Sequence, residues 1–140
     1  MRVVVDTNVL VSGLLFGSLP REIVEIAQAG AITVCVTEST VEELLRVSLY
    51  PKFEEERLRL LPNFETVFDA FLSNSHRIPE PDSVPDVVTA DPSDSIFLAC
   101  AVAAQAKYVI SGDKHLLDLK SFAGIPIMTP RQFLMRLKDT

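Results

Sequence analysis

The chain has 140 residues, 48% of them apolar, with 13 basic against 19 acidic side chains and a formal net charge of −6. That length holds one domain with a substantial core, expected over residues 1–140, and the apolar fraction excludes an intrinsically disordered chain. The acidic balance argues against a nonspecific nucleic-acid binder with a basic face, but not against an enzyme that gathers acids around metal ions.

Arg2 to Val5 reads as a short buried strand, β-branched and continuous. The apolar stretch is interrupted at Asp6 and Asn8, so the opening segment does not read as a secretory leader. A helix is expected from near Pro20 to Gly30, with Ile23, Ile26 and Ala27 on one face. Ala31 to Val36 reads as a second strand. Thr37 or Ser39 caps the following helix, which shows Val41, Leu44, Leu45 and Ser48 on one face and stops at Pro51.

Two further helical stretches are expected at Phe53–Leu61 and Asn63–Ser73, the second with Phe64, Phe68 and Phe71 at helical spacing, facing the core or a second copy of the chain. His76 to Asp91, with prolines at 79, 81 and 85, reads as a surface connection carrying a brief strand at Val87–Val88. Pro92 to Ala106 reads as a helix apolar on nearly all sides, too short in its uncharged part to span a bilayer. Lys107 to Ile110 is a third strand, Ser111-Gly112-Asp113 a turn, and Leu116-Leu117 packs locally. Ile125 to Met128 is a last strand, and Thr129-Pro130 opens a final helix to about Leu137. Cys35 and Cys100 sit in apolar runs and read as small core residues. Alternating strands and helices predict a three-layer α/β/α sandwich around a small parallel sheet, in a cytoplasmic protein.

The carboxylates carry the chemistry. Asp6 follows strand one, Asp113 follows strand three, Asp94 lies in the first turn of the buried helix, and Glu42 and Glu43 lie in the helix after strand two. In an open parallel sheet, functional groups gather at the carboxyl ends of the strands. Each acid has a plain structural reading: Asp91 caps before Pro92 with Asp94 as its partner, Asp113 is a turn residue, and the glutamates are a solvated face. Together they are harder to explain, because clustered carboxylates repel one another. Mg²⁺ or Mn²⁺, which prefer hard oxygen ligands, resolves the repulsion and offsets the cost of a carboxylate at the end of a buried strand.

The segments "VVVDTNVLVSGL", "TESTVEELLRV" and "DPSDSIFLACAVAAQAKYVISGDKHLL" resemble the PIN domain, with the closest likeness to VapC-like toxin components, and the resemblance covers essentially the whole chain. It implies a PIN-like fold and an endoribonuclease dependent on one or two Mg²⁺ or Mn²⁺ ions, leaving a 5′-phosphate and a 3′-hydroxyl. The family acids fall on Asp6, Glu43, Asp94 and Asp113, as metal ligands and catalytic groups. Glu42 is the rival of Glu43, and helix periodicity does not settle the choice. Thr7, Asn8, Ser111 and Asp91 are supporting residues. His115 stands where many relatives carry a further aspartate. Arg46, Lys52, Lys114 and His115 neighbour the site segments and are candidates for an RNA-binding rim. A cognate antitoxin and a homodimeric state are implied as well.

Two other readings compete. Haloacid-dehalogenase phosphatases also place an aspartate after a hydrophobic strand, but need a second one two residues later, where this chain has Asn8. The alternative from a different class is a PIN-fold module that binds RNA or protein with little or no catalysis.

Overall fold

Val3, Val4 and Val5 form the middle of the sheet because strands on both sides pair with them. The computed structural model describes residues 1–60, 64–83 and 94–139. Its strands are β1 (Arg2–Val5), β2 (Thr33–Val36), β3 (His76–Arg77), β4 (Tyr108–Ile110), β5 (Ser121–Phe122) and β6 (Ile125–Met128). Its helices are α1 (Thr7–Leu15), α2 (Ser18–Gln28), α3 (Glu38–Ser48), α4 (Glu54–Leu60), α5 (Phe64–Asn74), α6 (Asp94–Ala104), α7 (Lys114–Leu119) and α8 (Pro130–Lys138), with a 3-10 turn at Pro51–Phe53.

The strand order is β3-β2-β1-β4-β6-β5. The first five strands in that order run parallel, and β5 pairs antiparallel with β6 at the edge. Alternate residues leave opposite faces. Val3, Val5, Val34, Val36 and Ile110 join α1, α2, α3, α5 and α8 in one core. Val4, Cys35, Val109 and Ile127 join α6 and α7 in the other. This is the α/β/α sandwich expected from the alternating pattern. Crossover handedness explains which helix goes where. The connections β1→β2→β3 step one way across the sheet and lay their helices on one face. The steps β3→β4→β6 go back the other way and lay α6 and α7 on the opposite face. The chain therefore reverses direction between β1 and β4, and in open sheets the crevice beyond the carboxyl ends at such a reversal is where ligands bind.

Several elements depart from expectation. A helix, α1, follows β1 at once, because Asp6 ends the strand as an N-cap and accepts from the Val9 N–H. The buried face of α3 is Thr40, Glu43, Leu44 and Ser48, whereas Leu45 is 44% exposed. The face therefore turns away from Leu45 towards Glu43, while Val41 stays partly buried against the core. Thr37 is the cap of α3, in a reciprocal capping box with Thr40. The short strands β3 and β5 and the helix α7 were not legible as such, being two and six residues long. The expected strand at 87–88 and the cap at Asp91 lie outside the described residues. Phe68 and Phe71 are core residues. Both cysteines are free and buried, with burial pushing the Cys100 thiol up to about 12. Among the described residues no helix is long and apolar enough to cross a membrane.

One glycine sets the helix packing beside the reversal. A Cβ at Gly13 of α1 would lie 2.7 Å from the Pro20 carbonyl oxygen and 2.8 Å from a Val24 methyl of α2. Gly13→Ala is therefore expected to lower stability by about 1–3 kcal/mol through overpacking, against a helix-propensity gain of about 1 kcal/mol. Urea denaturation checks this, and a raised midpoint would show that the two helices have slack.

Candidate metal-binding active site

Strand register delivers the first contact of the site. Val5 pairs with Ile110, so the next residues, Asp6 and Ser111, stand side by side beyond the strand ends. The Asp6 N–H donates to the Ile110 carbonyl at 3.0 Å, and the Ser111 hydroxyl donates to Asp6 Oδ2. Ser111 is fully buried, and its oxygen accepts from the Asp113 N–H at 2.9 Å. A short relay thus ties Asp6 to Asp113.

Three of the four acids begin helices. Asp6 caps α1, Asp94 is the first residue of α6, and Asp113 caps α7 by accepting from the His115 N–H at 2.9 Å. Helix N-termini present unpaired N–H groups and a partial positive charge, which suits carboxylates. The fourth acid arrives from the side. Glu43 lies on the inward face of α3, where Thr7 Oγ1 donates to its Oε2 at 2.9 Å and Arg46 approaches its Oε1 at 3.5 Å. Glu42 is exposed.

Asp6, Glu43, Asp94 and Asp113 line one cleft of about 190 Å³, with Thr7, Asn8, Tyr50 and Lys52 on its walls. Asp6, Glu43 and Asp94 are all buried, at 4%, 9% and 4% exposure. Burial raises the Asp6 carboxyl above its ordinary value of 3.8, the Ser111 and Val9 hydrogen bonds pull it back down, and the negative charge of Asp113 pushes it further up. Among the described residues, no group of three or more His, Cys, Asp or Glu side chains is placed to hold a metal ion.

The remaining candidates scatter. Lys52 is on the cleft wall, its ammonium 5.1 Å from the Phe53 ring centre. The Arg46 side chain, 66% exposed, is engaged with Glu43 through its guanidinium. His115 lines a larger neighbouring hollow that shares Asn8 and Asp113 with the cleft. Lys114 is exposed in the first turn of α7. Val47 and Tyr50 also wall the cleft. They were not expected, although their spacing of four and seven residues from Glu43 is the helical repeat that would have found them.

Residues 2–115 match the sequence family of the PIN domain. No curated protein matches the chain. Among solved structures, the crystal structure of VapBC2 from Rickettsia felis, bound to a DNA fragment from its promoter, is similar with a TM-score of 0.60. The match covers 92% of this chain and 98% of that one at 15% identity, a level at which the likeness is one of fold.

A pH dependence follows from Asp6. Its raised folded-state value means that the native chain binds more protons than the unfolded chain above pH 3.8. The contribution is complete below 3.8 and is lost as pH rises through the folded-state value. In chelator, Asp6→Asn, which retains a capping side chain, should be more stable than wild type at pH 7, with the difference shrinking towards pH 3.8. Denaturant titrations across that range check the sign, and equal slopes against pH would show that Asp6 carries no burial penalty.

Proposed function

The chain belongs to the PIN-domain family, and from that membership we propose that it is a metal-dependent endoribonuclease, acting as one domain on RNA phosphodiester bonds. The observation that carries the reading is the convergence of four carboxylates, from β1, α3, α6 and the β4–α7 turn, on one cleft at the point where the sheet reverses.

The donor set suits Mg²⁺ or Mn²⁺. Both take hard oxygen ligands, and Mg²⁺ keeps several waters and is held by one or two carboxylates, so a closed protein cage is not required. Asp6 Oδ1 accepts from the Val9 N–H and Oδ2 from the Ser111 hydroxyl, and the Gly112 N–H also favours the charged carboxylate, which leaves room among its lone pairs for a cation. A cation would also relieve the two effects that raise the Asp6 carboxyl, burial and the Asp113 charge. In this reading Asp6, Asp94 and Asp113 hold the ion, and Glu43 holds it or orients the attacking water. Once bound, the ion supplies Lewis-acid stabilisation of the phosphate and a water acidic enough to attack near neutral pH. Ser111 and Thr7 fix the Asp6 and Glu43 carboxylates through the hydroxyl donations described above. Lys52 on the cleft wall and Arg46 against Glu43 offer positive charge to the approaching phosphate.

Membership of the toxin subgroup, a cognate antitoxin, a homodimer and a cytoplasmic setting belong to the same proposal. The antitoxin is supported by the name of the similar structure, a VapBC2 complex. One observation favours the second reading, a binding module with little catalysis: the carboxylates do not form a closed cage among the described residues.

Cleavage of mixed single-stranded RNAs separates the two. Cutting is expected with Mg²⁺ or Mn²⁺, abolished by chelator, and reduced by at least about a hundredfold in Asp94→Asn. Thr7→Val should cost about 10–100-fold by freeing Glu43, whereas Glu42→Gln, on the exposed face, should cut like wild type. RNA that is bound and never cut would establish the binding module.

A further inference from the structure

The carboxylate cleft is continuous with a larger open hollow of about 790 Å³, and the two share Asn8 and Asp113. That hollow passes over Ser12 and His115 and in turn shares Pro20 and Pro130 with a third depression of about 610 Å³, which ends at Arg131. The three make one trough along the start of α1, between the first turns of α2 and α8. Its wall is set by the Gly13 contact, which holds Pro20 against α1.

The chemistry along the trough changes in a consistent direction. Carboxylates line its head. The middle has no lysine or arginine among its lining residues, and presents the Ser12 hydroxyl, the His115 ring and two proline rings. At the far end Arg131 is exposed and joins no ion pair among the described residues. Duplex RNA is held mostly through shape and its backbone, whereas single strands offer unstacked bases that lie on ring faces and hydrogen-bond along their edges. Beyond Asp113 at its head, a floor of ring faces closed by one cation fits a base followed by its phosphate.

We propose that the trough from the carboxylate cleft to Arg131 is the path of single-stranded RNA, with a base over His115, Pro20 and Pro130 and the next phosphate on Arg131. The path rests on the nuclease reading for the identity of the polymer. Arg131 is a binding residue remote from the chemistry, so its loss acts on affinity and not on the bond-breaking step.

The test measures binding, so that it does not depend on turnover. A fluorescent single-stranded RNA decamer is titrated with the Asp94→Asn chain in Mg²⁺, alone and combined with Arg131→Ala, Arg131→Lys or Lys138→Ala, at several salt concentrations. Arg131→Ala is expected to weaken binding several-fold and to flatten the slope of log affinity against log salt by about 0.7, the value for one phosphate contact on a single strand. Arg131→Lys should restore most of both. Lys138→Ala, an exposed cation at the other end of the same helix, should change neither. Unchanged affinity and slope in Arg131→Ala, or an equal loss in Lys138→Ala, overturns the path, as does an absence of RNA binding. Arg131-dependent binding by a wild-type chain that never cuts RNA would sustain the path and remove the nuclease reading.

Discussion

The contact between the Ser111 hydroxyl and the Asp6 carboxylate organises the end of the sheet. It forms because β1 and β4 pair in a register that sets Val5 against Ile110, which leaves the next residue of each strand side by side. A buried carboxylate without partners would cost several kcal/mol. Asp6 avoids that cost by accepting from Ser111 on one oxygen and from the first turn of α1 on the other. The same serine oxygen accepts from the Asp113 backbone. Two strands, the start of α1 and the start of α7 are thereby locked to one another around a single side chain.

The same contact explains how negative groups can be crowded without opening the fold. Three of the acids sit at helix starts, where backbone N–H groups and the helix dipole favour negative charge. The fourth, Glu43, takes a hydroxyl on one oxygen and a guanidinium on the other. Compensation is incomplete, since burial and Asp113 still raise the Asp6 carboxyl. The residual cost is what a divalent ion would offset. A site that is satisfied enough to fold while burial still raises one carboxyl is consistent with stability being given up locally for function.

Topology decides where this happens. Crossovers of one hand put α1, α2, α3 and α5 on one face and α6 and α7 on the other, since the chain steps across the sheet in opposite directions before and after β3. At the reversal the connections leave the ends of β1 and β4 in opposite directions, and the cleft lies there. Gly13 matters to the same region, because the close approach of α1 and α2 shapes the wall along which the hollow extends from the cleft.

The residues themselves determined the layer architecture and the acids. Valine runs and helical apolar repeats signal a covered parallel sheet, and an aspartate directly after such a strand has few alternatives. The choice between Glu42 and Glu43 was different. The expected stripe of Val41, Leu44, Leu45 and Ser48 holds at Leu44 and Ser48 but turns away from Leu45, because the true face of α3 is partly polar, with Thr40 and Glu43 buried through hydrogen bonds that no hydropathy pattern encodes. The helix α1 was hidden for a related reason: its buried residues continue the apolar run of β1, and only the capping bond of Asp6 marks the boundary. Elements of two to six residues, such as β3, β5 and α7, owe their form to neighbours and carry too few residues for a period to show. Local chemistry was therefore written along the chain, whereas the pairing of Asp6 with Ser111 and of Thr7 with Glu43 came from strand register and helix rotation, which depend on contacts 105 and 36 residues apart.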